Sequence, residues 1–144
     1  MKIFYWAPFL SKIATIKAVT NSIESLDRYS NKKLDISIID AIGEWESTSE
    51  NLSNINVIKL YNKNLYNFLP KKGFIGSRIS KIFIFISSFF ALKKIIKKEK
   101  PDYFIAHLLV ILPLILFSLN NFKTKLILRI SGLPKLNILR KFSW

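Results

Sequence analysis

Short apolar runs rich in β-forming residues recur along this chain and alternate with longer stretches of helical periodicity. The first run, Lys2–Trp6, begins near the amino terminus and is ended by an Ala-Pro pair. Four further runs lie at 34–42, 55–61, 103–106 and 125–130. Uninterrupted apolar strands are typical of a parallel sheet that is covered on both faces, because neither side of such a strand has to meet water.

Three stretches between these runs have the features of helices. Residues 12–29 carry one apolar stripe and follow Ser11, which can cap a helix. Residues 77–100 begin with a serine that can serve as a cap and end before Pro101, and a third helix is predicted at 108–119. This order predicts an α/β fold of the Rossmann-like kind, with a mainly parallel sheet, right-handed crossovers and helices on both faces.

The length of the chain bounds the number of domains. At 144 residues it is long enough to bury one core and too short for two. Its last residues, 137–144, start a further helix that has room for only about two turns. We therefore expect residues 1–144 to form a single domain that ends inside an unfinished helix.

Several kinds of chemistry are excluded by residue types that the chain lacks. It has no cysteine, which excludes disulfides, thiol catalysis and cysteine-ligated metals, and its single histidine leads us to expect no metal site. No glycine-rich dinucleotide fingerprint is present either. We therefore expect no nicotinamide or flavin cofactor.

The net charge of +14 is strongly polarised along the chain. Residues 1–50 sum to −1, because six basic residues face seven acids, whereas residues 51–144 sum to +15, with 17 basic residues against two acids. Of the 23 basic residues only four are arginine, the side chain that nucleic-acid readers favour. Together with the lack of any known RNA- or DNA-binding motif, this predicts no nucleic-acid partner.

The hydropathy of the chain is high, at a mean of +0.25, yet no stretch fits a membrane span. The apolar run at the amino terminus is too short for a signal peptide and lacks a cleavage pattern. The run at 82–92 has 11 residues between lysines, about half of what a span needs. We expect a cytoplasmic protein that can bind peripherally at the inner face of the plasma membrane.

The predicted helix at 77–100 suggests how such binding would occur. Its apolar residues Ile84, Phe85, Phe89 and Phe90 cover more than one face, which a merely solvated helix would not require. The basic residues in and just before this helix are Lys71, Lys72, Arg78, Lys81, Lys93, Lys94, Lys97 and Lys98. This combination predicts a surface for anionic lipid headgroups, and the simpler alternative is a solvated charged helix end.

Candidate ligand-binding residues follow from the topology, since open parallel sheets bind ligands beyond the carboxyl ends of their strands. The residues selected in this way are Pro8, Phe9, Ser11, Lys12, Gly43, Trp45, His107, Arg129, Ser131 and Gly132. His107 either offers a hydrogen bond to a ligand or is a half-buried histidine bonded to backbone. Arg129 either binds phosphate or carboxylate or forms a salt bridge to Asp102 or Asp40. Trp45 either stacks on a sugar or lies in the core.

The segment Lys100-Pro101-Asp102-Tyr103-Phe104-Ile105-Ala106-His107 resembles the Pro-Asp, apolar strand, His pattern of family-4 glycosyltransferases. The run at 125–132, KLILRISG, lies where the next strand of those enzymes leads into their cleft. The opening strand and helix and the long basic helix also fit. The resemblance covers the whole chain but only the amino-terminal half of such an enzyme. One departure is the loop after the first strand, which has no glycine pair.

The resemblance implies two Rossmann-like domains with a GT-B arrangement, of which this chain is the acceptor-side domain. It implies metal-independent sugar transfer, with retention of configuration, from a nucleotide-sugar donor to a glycan or lipid-linked acceptor in bacterial surface-polysaccharide synthesis. His107 is its catalytic candidate. The donor would bind mainly to a carboxyl-terminal domain or a partner chain that supplies it, so the isolated 144 residues should be inactive. The alternative is a stand-alone, non-catalytic binding module or split subunit that docks a separate donor-binding chain.

Overall fold

The computed structural model describes residues 1–10, 14–46, 55–71 and 73–130. Five strands and three helices are formed within these ranges. In chain order they are β1 (Lys2–Trp6), α1 (Ala14–Tyr29), β2 (Asp35–Asp40), β3 (Asn56–Lys59), α2 (Phe74–Glu99), β4 (Tyr103–Ala106), α3 (Ile111–Leu119) and β5 (Lys125–Leu128). The strand–helix alternation expected from the sequence is confirmed.

The five strands form one all-parallel sheet in the order β3-β2-β1-β4-β5. Strand β1 is central, and Phe4 is paired with Ser37 of β2 on one side and Phe104 of β4 on the other. The chain builds outward from β1 to β3 and then crosses back to add β4 and β5. The gap between the carboxyl ends of β1 and β4 is therefore the topological switch point of the sheet.

Side chains of β1 alternate between the two faces of the sheet, as the period of a strand requires. Ile3 and Tyr5 belong to the core cluster that includes α1. Phe4 and Trp6 belong to the other cluster, which includes α2 and α3. Helices thus cover both faces, and the predicted Rossmann-like α/β fold is confirmed.

The boundaries of α2 differ from the predicted ones at its start. The helix begins at Phe74, after Gly73 with φ of 80°, and the cap position has no side-chain hydrogen bond. Ser77 lies inside the first turn, and its hydroxyl donates to the Phe74 carbonyl at 3.3 Å. The prediction of a serine cap was therefore wrong. The end is as predicted, because Lys100 turns the chain with φ of 44° before Pro101.

Strands β1 and β4 have the predicted bounds, whereas four other elements are shorter than the sequence pattern suggests or begin later. Strands β2 and β3 are each three residues shorter than the apolar runs that predicted them, β5 is two residues shorter, and α3 begins at Ile111 instead of 108. The predicted Ser11 cap and the predicted helix at 137–144 lie outside the described residues. Within the described ranges, no helix combines the length and the apolar character needed to cross a bilayer.

Candidate binding site at the carboxyl edge of the sheet

The switch point brings His107 and Arg129 to neighbouring strand ends. The His107 backbone N–H donates to the Trp6 carbonyl at 2.9 Å, and the Arg129 N–H donates to the Ala106 carbonyl at 2.8 Å. Each bond extends the parallel ladder by one step beyond the strands. Because Ile105 is paired with Ile127, continuing this register sets His107 beside Arg129, on the face of the sheet that carries α1.

The His107 imidazole is held in a nearly enclosed position. It is 6% exposed and stacks on the Tyr5 ring with 5.7 Å between the ring centroids. Its Nε2 atom is buried and has no hydrogen-bond partner among the described residues. A buried polar atom without a partner costs about 1–3 kcal/mol, so this nitrogen is suited to receive a hydrogen bond from a ligand or to donate one.

The electrostatic surroundings keep this imidazole neutral. Burial lowers the pKa of His107 to about 4, and the positive charge of Arg129 acts in the same direction. A neutral imidazole has one donor and one acceptor nitrogen. At neutral pH the site can therefore exchange hydrogen bonds with hydroxyl groups, while its positive charge comes from Arg129.

Tyr5 supports this arrangement from inside the sheet. Its ring is wholly buried beneath His107, and its hydroxyl lies 3.1 Å from the Ser22 hydroxyl of α1. Burial raises the pKa of Tyr5, so the phenol stays neutral. Neither Tyr5 nor Ser22 was predicted from the sequence as a site residue. The available signal was a hydroxyl-bearing ring in the middle of an otherwise apolar central strand.

The guanidinium of Arg129 is exposed, and none of the ion pairs among the described residues includes it. The two acids proposed as its partners are occupied elsewhere. Asp102 accepts the backbone N–H of Lys2 at 2.7 Å, and Asp40 accepts that of Gly43 at 2.7 Å. The salt-bridge alternative for Arg129 is therefore not formed, which leaves the side chain able to meet an anion.

Three of the predicted ligand contacts lie in the core instead. Pro8, Phe9 and Trp45 are buried, and Phe9 meets Trp45 edge-to-face at 5.1 Å. Neither face of the Trp45 indole is free to stack on a sugar, and Trp45 is a core residue. The physical reason is that burying large apolar side chains such as those of Phe9 and Trp45 is favourable.

Gly43 has a conformational role in the turn after β2. Its φ of 94° is left-handed, and a Cβ there would lie 2.7 Å from the Asn64 side chain and 3.0 Å from the Asn64 backbone. The turn is closed by Glu44, which is wholly buried and accepts the N–H groups of Ala41 and Ile42 at 3.1 and 2.7 Å. Gly43 is therefore required here by geometry.

Glu44 and Asp40 form a buried pair of acids in this turn. Burial raises the pKa of Glu44 well above its usual range, and its hydrogen bond and repulsion with Asp40 add to the shift. One proton shared between the two carboxyl groups removes their repulsion. Their oxygens accept the backbone N–H groups of residues 41–43, so the pair stabilises the loop after β2.

The opposite edge of the sheet carries a groove of about 870 Å³. Its lining includes Lys97, Lys100, Lys123 and Lys125. The Asp102 carboxylate there already accepts the Lys2 N–H, and no buried polar atom of the lining lacks a partner. We therefore place the candidate site at the carboxyl edge, where His107 has an unpaired nitrogen.

The remaining predicted contacts, Ser11, Lys12, Lys72, Ser131 and Gly132, lie outside the described residues. Within the described ranges, no group of three potential ligand side chains could hold a metal ion. Comparison of the chain with protein-family models, with curated proteins and with solved structures finds no match.

Proposed function

We propose that this chain is the acceptor-binding domain of a GT-B glycosyltransferase, which transfers a sugar from a nucleotide-sugar donor to a glycan or lipid-linked acceptor. The observation that carries the proposal is the buried, unpaired Nε2 of His107 at the switch point of a Rossmann-like sheet. The same residue ends the Pro-Asp, strand, His segment that resembles family-4 enzymes. The position of His107 in the fold and its place in the motif thus both support this residue as the candidate.

The chemistry of the site suits a ligand rich in hydroxyl groups. A sugar offers neutral donors and acceptors, and the neutral imidazole of His107 matches either kind. The exposed Arg129 beside it supplies the positive charge that the phosphate of a lipid-linked acceptor or of a donor would require. The two side chains thus divide the recognition of a glycosyl phosphate between them.

In the proposed reaction, the bond between the anomeric carbon and the departing phosphate oxygen breaks. A bond forms from the anomeric carbon to an acceptor hydroxyl oxygen, and the proton of that hydroxyl passes to the departing phosphate oxygen of the nucleoside diphosphate. This chain would orient the acceptor hydroxyl and exclude water around it. Donor binding would need a second domain or a partner chain, so the 144 residues alone should show no transfer.

Calorimetric binding tests the proposal directly. The probes are a panel of neutral oligosaccharides and of short-chain lipid pyrophosphate sugars, titrated into the wild-type chain. We expect H107A to weaken binding of every sugar that binds by about tenfold, the value of one lost hydrogen bond. R129A should weaken only the pyrophosphate-bearing probes.

A matched control is Tyr29→Ser, which changes an exposed aromatic residue at the end of α1. It should leave all affinities unchanged. Binding of a sugar that is indifferent to H107A would place its site elsewhere and overturn the proposal. Preferential, salt-sensitive binding of single-stranded nucleic acid would overturn it as well.

A further inference from the structure

Helix α2 has two apolar faces, of which only one is buried. Its buried positions recur every four residues and are Ser80, Ile84, Ser88, Leu92 and Ile96. A second row, on the opposite side of the helix, has spacings of three and four residues. This outer row consists of Ile75, Ile79, Ile82, Ile86 and Phe90.

The outer row is exposed to solvent over its whole length. Its five side chains are between 56% and 76% exposed, and they extend over about 22 Å of helix. Two of the five buried positions are serine, whereas every position of the outer row is isoleucine or phenylalanine. A helix that only covers a core has the reverse distribution, with its polar residues outward. The outer row therefore serves contact with something beyond this domain's core.

Neighbouring helix α3 widens the apolar surface. It lies on the same face of the sheet as α2, within the same core cluster. Three of its apolar side chains are also exposed, namely Ile111, Leu114 and Leu119. Both helices on this face of the sheet thus carry exposed apolar side chains.

The charges around the outer row are almost all positive. Arg78 and Lys81 lie in the first half of α2, and four lysines follow the row: Lys93, Lys94, Lys97 and Lys98. Lys93 and Lys97 continue the row itself, at three and seven residues beyond Phe90. The one acid of α2 is Glu99, whose carboxylate forms an ion pair with Lys2 at 2.6 Å.

We infer that this face docks on an anionic lipid bilayer, with α2 lying in the plane of the interface. An apolar row that ends in lysines complements a surface whose headgroups are negative and whose acyl chains lie just beneath. Two copies of this chain joined through the same face would bring their basic residues together without acids to balance them. Charge thus favours lipid over a second copy, and the inference does not depend on the proposed sugar transfer.

Sedimentation with vesicles tests the inference. The probes are vesicles of phosphatidylcholine alone and mixed vesicles of phosphatidylcholine and phosphatidylglycerol. We expect the 144-residue chain to sediment with the mixed vesicles far more than with the neutral ones, and added salt should reduce that binding. The double variant Ile82→Ser/Ile86→Ser should lose about tenfold or more in affinity, because two side chains no longer enter the apolar layer.

The matched control is Tyr29→Ser/Ile127→Ser, which removes two exposed apolar side chains from the other face of the sheet. It should bind like the wild type. Replacing Lys93, Lys94 and Lys97 by glutamine should weaken binding by about fivefold for each lysine that lies near the lipid surface. Circular dichroism establishes that each variant is folded, and both changed isoleucines of α2 are already exposed.

Three results would overturn the inference. The first is equal binding to neutral and anionic vesicles, and the second is binding that the change at Ile82 and Ile86 does not alter. The third is a dimer, detected by light scattering, that the same change dissociates while the chain ignores vesicles. That result would assign the face to a second copy.

Discussion

Acidification should destabilise this protein through the protonation of His107. The imidazole is 6% exposed, rests on the Tyr5 ring and has the positive Arg129 close by. These surroundings lower the pKa of His107 in the folded state, whereas in the unfolded chain it should be near the ordinary value of 6.5. The unfolded state therefore binds the proton first as pH falls, and the folded state loses stability between pH 6.5 and about 4.

The size of this effect follows from the two pKa values. A folded-state pKa of about 4 against 6.5 corresponds to about 3 kcal/mol of unfolding free energy. For a domain of this size, whose total stability is about 5–15 kcal/mol, that loss is large. Most of it should develop above pH 4, before the imidazole of the folded protein is protonated.

Urea unfolding across this pH range measures the loss, with His107→Gln as the control variant. Buried and paired carboxyl groups also titrate there, so the informative quantity is the difference in pH dependence between the two proteins. We expect the wild type to lose about 3 kcal/mol more than the variant on acidification. Equal pH dependence of the two proteins, or an imidazole that titrates near 6.5 in the folded chain, would show that His107 does not cause the loss of stability.

Three further predictions concern the turn after β2, the core and the size of the natural product. Gly43→Ala should destabilise the fold by about 1–2 kcal/mol through its positive φ, and contact of the new Cβ with Asn64 should add to that loss. Gly73→Ala is the comparison, because Gly73 has a φ of 80° and open space around it, so only the backbone strain should destabilise that variant. Thermal unfolding of the two variants measures the difference. Trp45→Ala should lower the free energy of unfolding by about 3–5 kcal/mol, measured with urea, since removing a wholly buried indole leaves a cavity. An unchanged free energy of unfolding would indicate that Trp45 lies at the surface. An amino-terminal tag on the endogenous protein should report an intact mass well above 16.7 kDa, and a product of that mass would favour a split subunit.

The fold could be predicted from the sequence because the patterns that indicate each strand and helix are local. Each strand is a short apolar run, and the proline at 101 and the left-handed Lys100 end α2 where the pattern predicts. The start of α2 was missed because Gly73, with no side chain to signal a cap, precedes the helix. The end of β2 was overestimated because apolar residues continue into the turn, where the N–H groups of Ala41 and Ile42 bond the Glu44 carboxylate instead of a neighbouring strand.

The candidate site could be predicted only in part from the sequence, because it depends on contacts between distant parts of the chain. The position rule for parallel sheets named both His107 and Arg129, and each lies one residue beyond the end of its strand, β4 or β5. The burial of Phe9 against Trp45 is a contact between residues far apart in sequence, and no local pattern announces it. The stack of Tyr5 under His107 is likewise set by strand order, which places residue 5 beside residue 105.

Because the chain has a single histidine, one imidazole signal reports directly on whether His107 binds a sugar. The measurement is the ¹⁵N resonance of His107 Nε2, followed while a sugar that binds in calorimetry is added to the full chain. We expect a shift that saturates at the calorimetric affinity, since a ligand hydroxyl would supply the missing hydrogen bond. An imidazole resonance that stays unchanged while the sugar binds would contradict it.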